Sequence, residues 1–171
     1  LPASNAAVLD FLRVAFRRGI DPAATWIATR QDEIIWAILP VPSPGRTMLL
    51  FVPADYRNGE QIHAAGALTE HVLEHYGRRD IQLAQLLLEP TDLRIIDLYR
   101  SFGFARLAEL IYLQSPARKA RDYPALPPGM ALQTSCEQTH DLVAAASQQS
   151  YVDSLDCPAL AGSRGIDDFC A

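Results

Sequence analysis

Cysteine is scarce in this chain. Only Cys136, Cys157 and Cys170 occur in 171 residues, all in the last quarter. The number is odd, no CxxC is present and no spacing matches a zinc site. A disulfide framework or a zinc module is therefore excluded as the organising device, and free thiols in a reducing cytoplasm are expected. Long apolar runs are also missing: none approaches the roughly 18 residues that cross a membrane. No basic segment followed by an apolar stretch opens the chain, so no signal peptide is expected. Positive charge is in short supply. Fifteen Lys and Arg against 20 Asp and Glu leave a net charge of −5, which argues against nucleic acid or an anionic membrane as the main partner. The chain begins at Leu1 rather than Met, as expected of a piece of a longer protein.

What is present is apolar and patterned. Hydrophobic residues make up 49% and charged residues 20%, the balance of a globular protein with a sizeable core. Residues 6–18 place Val8, Leu12 and Ala15 on one helical face, with Gly19 as the stop. Three short runs rich in β-branched and aromatic residues follow: TWIAT (25–29), EIIWAIL (33–39) and RTMLLFV (46–52). They read as an antiparallel meander, turning at QDE and at PVPSPG. The period then changes. Residues 64–76 carry Ala65, Leu68, Val72 and Tyr76 on one helical face. LAQLLLE (83–89) is a continuous apolar run, the pattern of a strand buried on both faces.

Pro90, Thr91 and Asp92 open a further helix, with Thr91 or Asp92 as its cap. Its apolar stripe is Ile95, Leu98, Tyr99 and Phe102. Gly103 stands where a left-handed residue closes a helix, and Phe104 can fold back on the last turn. LAELIYLQ (107–114) predicts another strand. SPARKARDYPALPPG (115–129), with four prolines, reads as a linker. Beyond it, MALQTS (130–135) predicts a strand and residues 137–151 a helix with Leu142, Ala145, Ala146 and Gln149 near one face. That last part has too little apolar surface for a core of its own.

The segment TDLRIIDLYRSFGF (91–104) resembles the N-x-x-A-x-x-L-Y-x-x-x-G-F stretch of the GNAT acyltransferase superfamily. Leu98, Tyr99, Gly103 and Phe104 match, while Asp92 stands for the usual Asn and Ile95 for a small residue. The element order from about Ala6 to Gln114 is similar too, with the family's first strand missing. The resemblance implies an α+β fold with a mixed, splayed sheet flanked by helices, opening in a V between the strands at 46–52 and 83–89. It implies acetyl-CoA as cosubstrate. The arm of that molecule would lie along the backbone of Phe51 and Val52, and its pyrophosphate on the loop Gln61, Ile62, His63, Ala64, Ala65, Gly66 and Ala67, with Asp92 nearby. In that register QIHAAG (61–66) stands for Q/R-x-x-G-x-G/A with Ala64 in place of the first glycine, and the helix starts near Ala64. A Cβ at a position of close phosphate approach costs about 1 kcal/mol or more. LPPGMALQTSCEQTHDLVAAASQQSYVDSLDCPAL resembles the opening of a second such unit. The implied division is 1–115, a linker at 116–128 and a second unit from 129.

Transfer of an acyl group from a thioester to an amine moves two protons. Tyr99, a phenol of pKa about 10, is placed by the resemblance to protonate the leaving thiolate; the periodicity alone makes it core. Glu89 ends the apolar run and can take a proton from the amine, or it is a solvated strand end. Arg57 can reach a phosphate or simply face solvent. His71 and His75 stand four apart on one helix, but no third metal ligand accompanies them. The implied activity is acetyl transfer to a small-molecule or peptide amine by direct attack, since no Cys or Ser–His pair lies in the matched region. The alternatives are a catalytically degenerate half of a tandem protein and an unrelated α+β binding domain.

Overall fold

A computed structural model describes residues 19–111 without a break, together with Arg13, Ala15, Arg17, Leu113, residues 126–132 and residues 139–152. By contacts the chain divides into two compact units, Leu1–Ala105 and Arg106–Ala171. The boundary falls ahead of the apolar stretch 107–114.

The first unit holds a four-stranded sheet in the order β1-β2-β3-β4. β1 is Trp26–Arg30, β2 Glu33–Ser43, β3 Thr47–Phe51 and β4 Leu83–Gln85. β1–β2 and β2–β3 are antiparallel, as the meander predicts. The β1–β2 turn is two residues, Gln31 at φ 48° and Asp32 at φ 67°, the doubly positive geometry that matches the twist of a tight hairpin. β3 and β4 run parallel. Parallel neighbours need a crossover, supplied by helix α1, Gly59–Gly77. Helix α2, Leu93–Ser101, follows β4.

One face of the sheet buries Trp36, Ile38, Met48 and Leu50. They cluster with Ala65, Leu68 and Val72 of α1 and with Ile95, Leu98 and Tyr99 of α2. Full burial contributes about 1.5–3 kcal/mol for each of the larger aliphatic side chains. The predicted stripes of both helices are thus the ones that meet the core. Of the first predicted helix, Arg13, Ala15 and Arg17 are described. All three are helical, Ala15 is fully buried, and Gly19 closes the segment at φ 69°.

Helix α2 ends as LYRSFGF predicts. Gly103 has φ 91°. Its N–H donates to the Arg100 carbonyl and the Phe104 N–H to the Tyr99 carbonyl, the paired bonds of a Schellman end. The Phe104 ring then meets the Tyr99 ring edge-on, with centroids 5.5 Å apart.

Five sequence expectations are corrected. β2 runs to Ser43, so residues 40–43 belong to a strand and the turn predicted at PVPSPG shrinks to residues 44–46. β1 pairs only as far as Ile38. Beyond that point Pro40 and Pro42, two residues apart, withhold N–H groups on a side that carries no ladder. The second correction is that α1 begins at Gly59, five residues before Ala64.

β4 is the third. It stops at Gln85 and is not buried on both faces: Leu86 and Leu88 pack on the core, while Leu87 is 57% exposed. Fourth, residues 107–111 and 113 form no strand, and Leu110, Ile111 and Leu113 are exposed. An apolar run becomes a strand only where a neighbour takes its backbone bonds, and no ladder among the described residues extends to this stretch. Fifth, residues 130–132 form no strand; 133–135 lie outside the described residues.

The second unit contains helix α3, His140–Tyr151. Its least exposed side chains are Val143, Ala144 and Ser147, whereas Leu142 is 70% exposed, so the predicted face is not the covered one. Most of the predicted linker and all three cysteines lie outside the described residues.

Candidate functional site

The site is built from the end of β3. Thr47, Met48 and Leu49 pair with Leu83, Ala84 and Gln85, and there the two parallel strands part. β3 keeps β2 on its other side through Phe51. Beyond Leu49 the edge of β3 that faced β4, toward which Leu50 turns its backbone N–H and C=O, therefore has no strand beside it. A cleft of about 80 Å³ opens between the separated segments, lined by Leu49, Leu50, Phe51, Val52, Leu87 and Leu88. The splay expected between 46–52 and 83–89 is present, and its walls are apolar. An unpaired strand edge presents N–H and C=O groups at regular spacing to an extended ligand.

Phe51 and Val52 stand in this cleft. The expected phosphate loop does not form a loop. Gln61 through Ala67 are all helical, so most of their amides are committed within the helix. Ile62, Ala64 and Ala65 pack on the core. His63 bonds through Nδ1 to the Gly59 carbonyl at 2.7 Å on the exposed face, and the Ala67 carbonyl meets His71 Nδ1 at 3.1 Å. Gly66 has a packing role: a Cβ there would sit 3.1 Å from the Phe102 ring. Gly66→Leu is expected to force α1 off α2 and cost about 1–3 kcal/mol, measurable as a lower urea midpoint.

The true start of α1 is partly capped by its own side chains. Asn58 Oδ1 accepts from the Gln61 N–H at 3.0 Å, and Gln61 Oε1 accepts from the Arg57 N–H at 2.6 Å. Glu60 in the first turn pairs with Arg30 of β1 at 2.8 Å. Arg94 of α2 holds the loop ahead of the helix. It bonds the Asp55 carboxylate at 2.9 Å and the Tyr56 carbonyl at 3.0 Å, and its guanidinium lies 4.4 Å from the Tyr56 ring centroid. Asp92 occupies the cap position of α2 but makes no side-chain capping bond.

Tyr99 is on the predicted stripe but does not line the cleft. It is 1% exposed. Its hydroxyl, Trp36 Nε1 and Thr69 Oγ1 are enclosed side-chain atoms without a well-formed hydrogen bond. Burial pushes the phenol above its ordinary value, and the Trp36 and Thr69 groups beside it partly oppose that. Tyr99 is not among the residues that line the cleft. Glu89 is exposed, one residue beyond the cleft wall at Leu88, and its carbonyl accepts from the Asp92 N–H at 3.0 Å. Sequence reasoning missed Leu87 as a wall residue, because its run read as fully buried, and Arg94 as the clasp of the loop.

No protein-family model matches the chain, and no curated protein matches it. Two solved structures are similar to it. One is a provisionally assigned acetyltransferase from Agrobacterium tumefaciens, 17% identical, with a TM-score of 0.45 over 67% of this chain and 81% of that one. The other is a probable acetyltransferase, 15% identical, with a TM-score of 0.44 over 70% of this chain and 83% of that one.

A second hollow, of about 200 Å³, lies at the far end of α1 between Trp26, His71, Glu74, His75, Arg78 and Arg79. The His75 ring sits edge-on to Trp26 and Tyr76. Partial loss of water, then Arg79 and Arg78, lower its pKa from 6.5. The unfolded chain therefore binds this proton more readily, and stability falls as pH drops through 6.5. His75→Gln is expected to flatten the melting temperature against pH between about 7 and 5. Among the described residues no group of three His, Cys, Asp or Glu is placed to hold a metal ion, and no helix is long and apolar enough to cross a membrane.

Proposed function

We propose that this chain is an acyltransferase of the GNAT type that moves an acetyl group from acetyl-CoA to a small-molecule or peptide amine by direct attack. The observation that carries the reading is the break in the β3–β4 ladder after Leu49 and Gln85. It leaves the backbone N–H and C=O of Leu50 without a strand neighbour along an apolar cleft, a shape and hydrogen-bonding pattern that fit an amide of a pantetheine arm. At the start of α1 the Gln61 N–H is held by Asn58 and the Glu60 carboxylate stands nearby, which leaves the Gly59 and Glu60 N–H groups for a pyrophosphate.

Bound in the cleft, an acyl-CoA would supply a thioester carbonyl open to attack. The backbone of Leu50–Val52 would align the arm, and Leu87 and Leu88 would exclude water from it. Glu89, at the mouth, would take the proton of the incoming ammonium directly or through water. No side chain is assigned as the acid. A thiol of ordinary pKa about 8.5 departs as the thiolate near neutral pH without one. Thiol release from acetyl-CoA in the presence of an amine panel tests this. Glu89→Gln is expected to lower kcat by about 10²-fold or more with little change in KM for acetyl-CoA.

The second reading is a non-catalytic, ligand-binding half of a tandem protein. The enclosed Tyr99 hydroxyl and the self-capped start of α1 favour it. Binding of acetyl-CoA without thiol release for any amine would decide for it.

A further inference from the structure

We infer that the corner between Trp36, Thr69 and Tyr99 is a binding site for one internal water, which ties β2, α1 and α2 together. Three polar side-chain atoms meet there: Trp36 Nε1 from β2, Thr69 Oγ1 from α1 and the Tyr99 hydroxyl from α2. All three atoms are enclosed, none has a well-formed hydrogen bond, and their residues are 2% exposed or less. The indole and the threonine are the polar groups that act on the phenol, partly opposing the rise that burial gives its pKa. They are thus close to it without being aligned on it. The corner lies apart from the cleft, whose lining includes none of the three residues.

A threonine inside a helix commonly turns its hydroxyl onto the carbonyl four residues back. Thr69 makes no such bond to Ala65, which leaves its hydroxyl for the corner. The Tyr99 ring is fixed by Phe102 and Phe104, both edge-on to it with centroids 5.6 and 5.5 Å away. The donor and acceptor types then select the occupant. An indole N–H can only donate, whereas each hydroxyl donates or accepts. A water accepts from Trp36 Nε1 and from one hydroxyl, and donates to the other. That makes about three bonds, the usual number for an internal water. A metal cation does not fit, because the indole presents only a hydrogen to it. Apolar hollows stay dry, but the buried polar groups of native proteins nearly always find a partner.

A high-resolution crystal structure of the chain tests this, together with oxygen-17 relaxation dispersion in solution. A single density peak within about 3.2 Å of all three atoms is expected. In solution the unaltered chain is expected to hold one long-lived water more than the Thr69→Val, Tyr99→Phe double variant. Both substitutions keep the outline of the side chain, and a urea midpoint checks that the variant is folded. Direct bonds among the three atoms with no peak between them would overturn the inference. Equal dispersion from the folded double variant would overturn it as well.

Discussion

Tyr99→Ala is expected to cost about 3–5 kcal/mol, the usual loss for deleting a buried aromatic side chain. Against a total stability of about 5–15 kcal/mol this brings the first unit close to unfolding at 37 °C. Tyr99 is one of the largest fully buried side chains. It touches three things at once: Phe104 through the helix end, Phe102 edge-on at 5.6 Å, and the Trp36–Thr69 corner between β2 and α1. Tyr99→Phe is expected to behave differently. It removes a hydroxyl that has no well-formed partner, so stability should stay within about 1 kcal/mol or rise. If Glu89 and the cleft perform the chemistry, thiol release by Tyr99→Phe should remain within about threefold of the unaltered chain. A hundredfold loss of kcat in a fully folded Tyr99→Phe protein would restore the phenol as the acid. Urea melts and thiol release on the two variants separate these cases.

Leu87→Trp is expected to abolish more than nine-tenths of acetyl-CoA affinity without loss of fold. Leu87 lines the cleft yet is 57% exposed, so its side chain supports little of the core. An indole there occupies a space of about 80 Å³ that the donor's arm needs. A Tm within a few degrees of the unaltered chain, together with at least a tenfold weaker Kd, is the expected pair of results. Equal affinity would place the arm elsewhere.

The elements that follow local rules were legible in the sequence. LYRSFGF gives a helix end because glycine alone takes φ 91° freely and the phenylalanine next to it has an aromatic ring to cover. The helix stripes Ala65–Leu68–Val72 and Ile95–Leu98–Tyr99 follow from a 3.6-residue period and meet one core. The start of α1 was legible as well: Asn58 followed three residues later by Gln61 is a capping signal. The family register outweighed it and moved the start to Ala64. A resemblance in residue type at QIHAAG thus masked a physical cue at Asn58, three residues ahead of it.

What local rules could not give is long-range. β4 ends at Gln85 because β3 diverges from it, not because the LLLE run loses strand preference. The role of Tyr99 turns on where its hydroxyl points, and that depends on Trp36 and Thr69, 63 and 30 positions away in the chain. Periodicity placed the ring on the buried face and said nothing of the cleft. The splay itself is the feature that only the resemblance anticipated.

The central claim is that the free edge of β3 is the donor site. Amide hydrogen exchange of the chain with and without saturating pantetheine tests it most directly. Slower exchange at Leu50 and Val52, with little change at Gly59–Ala67, is the predicted result. Protection at Gly59–Ala67 with none at Leu50 and Val52 would contradict the account.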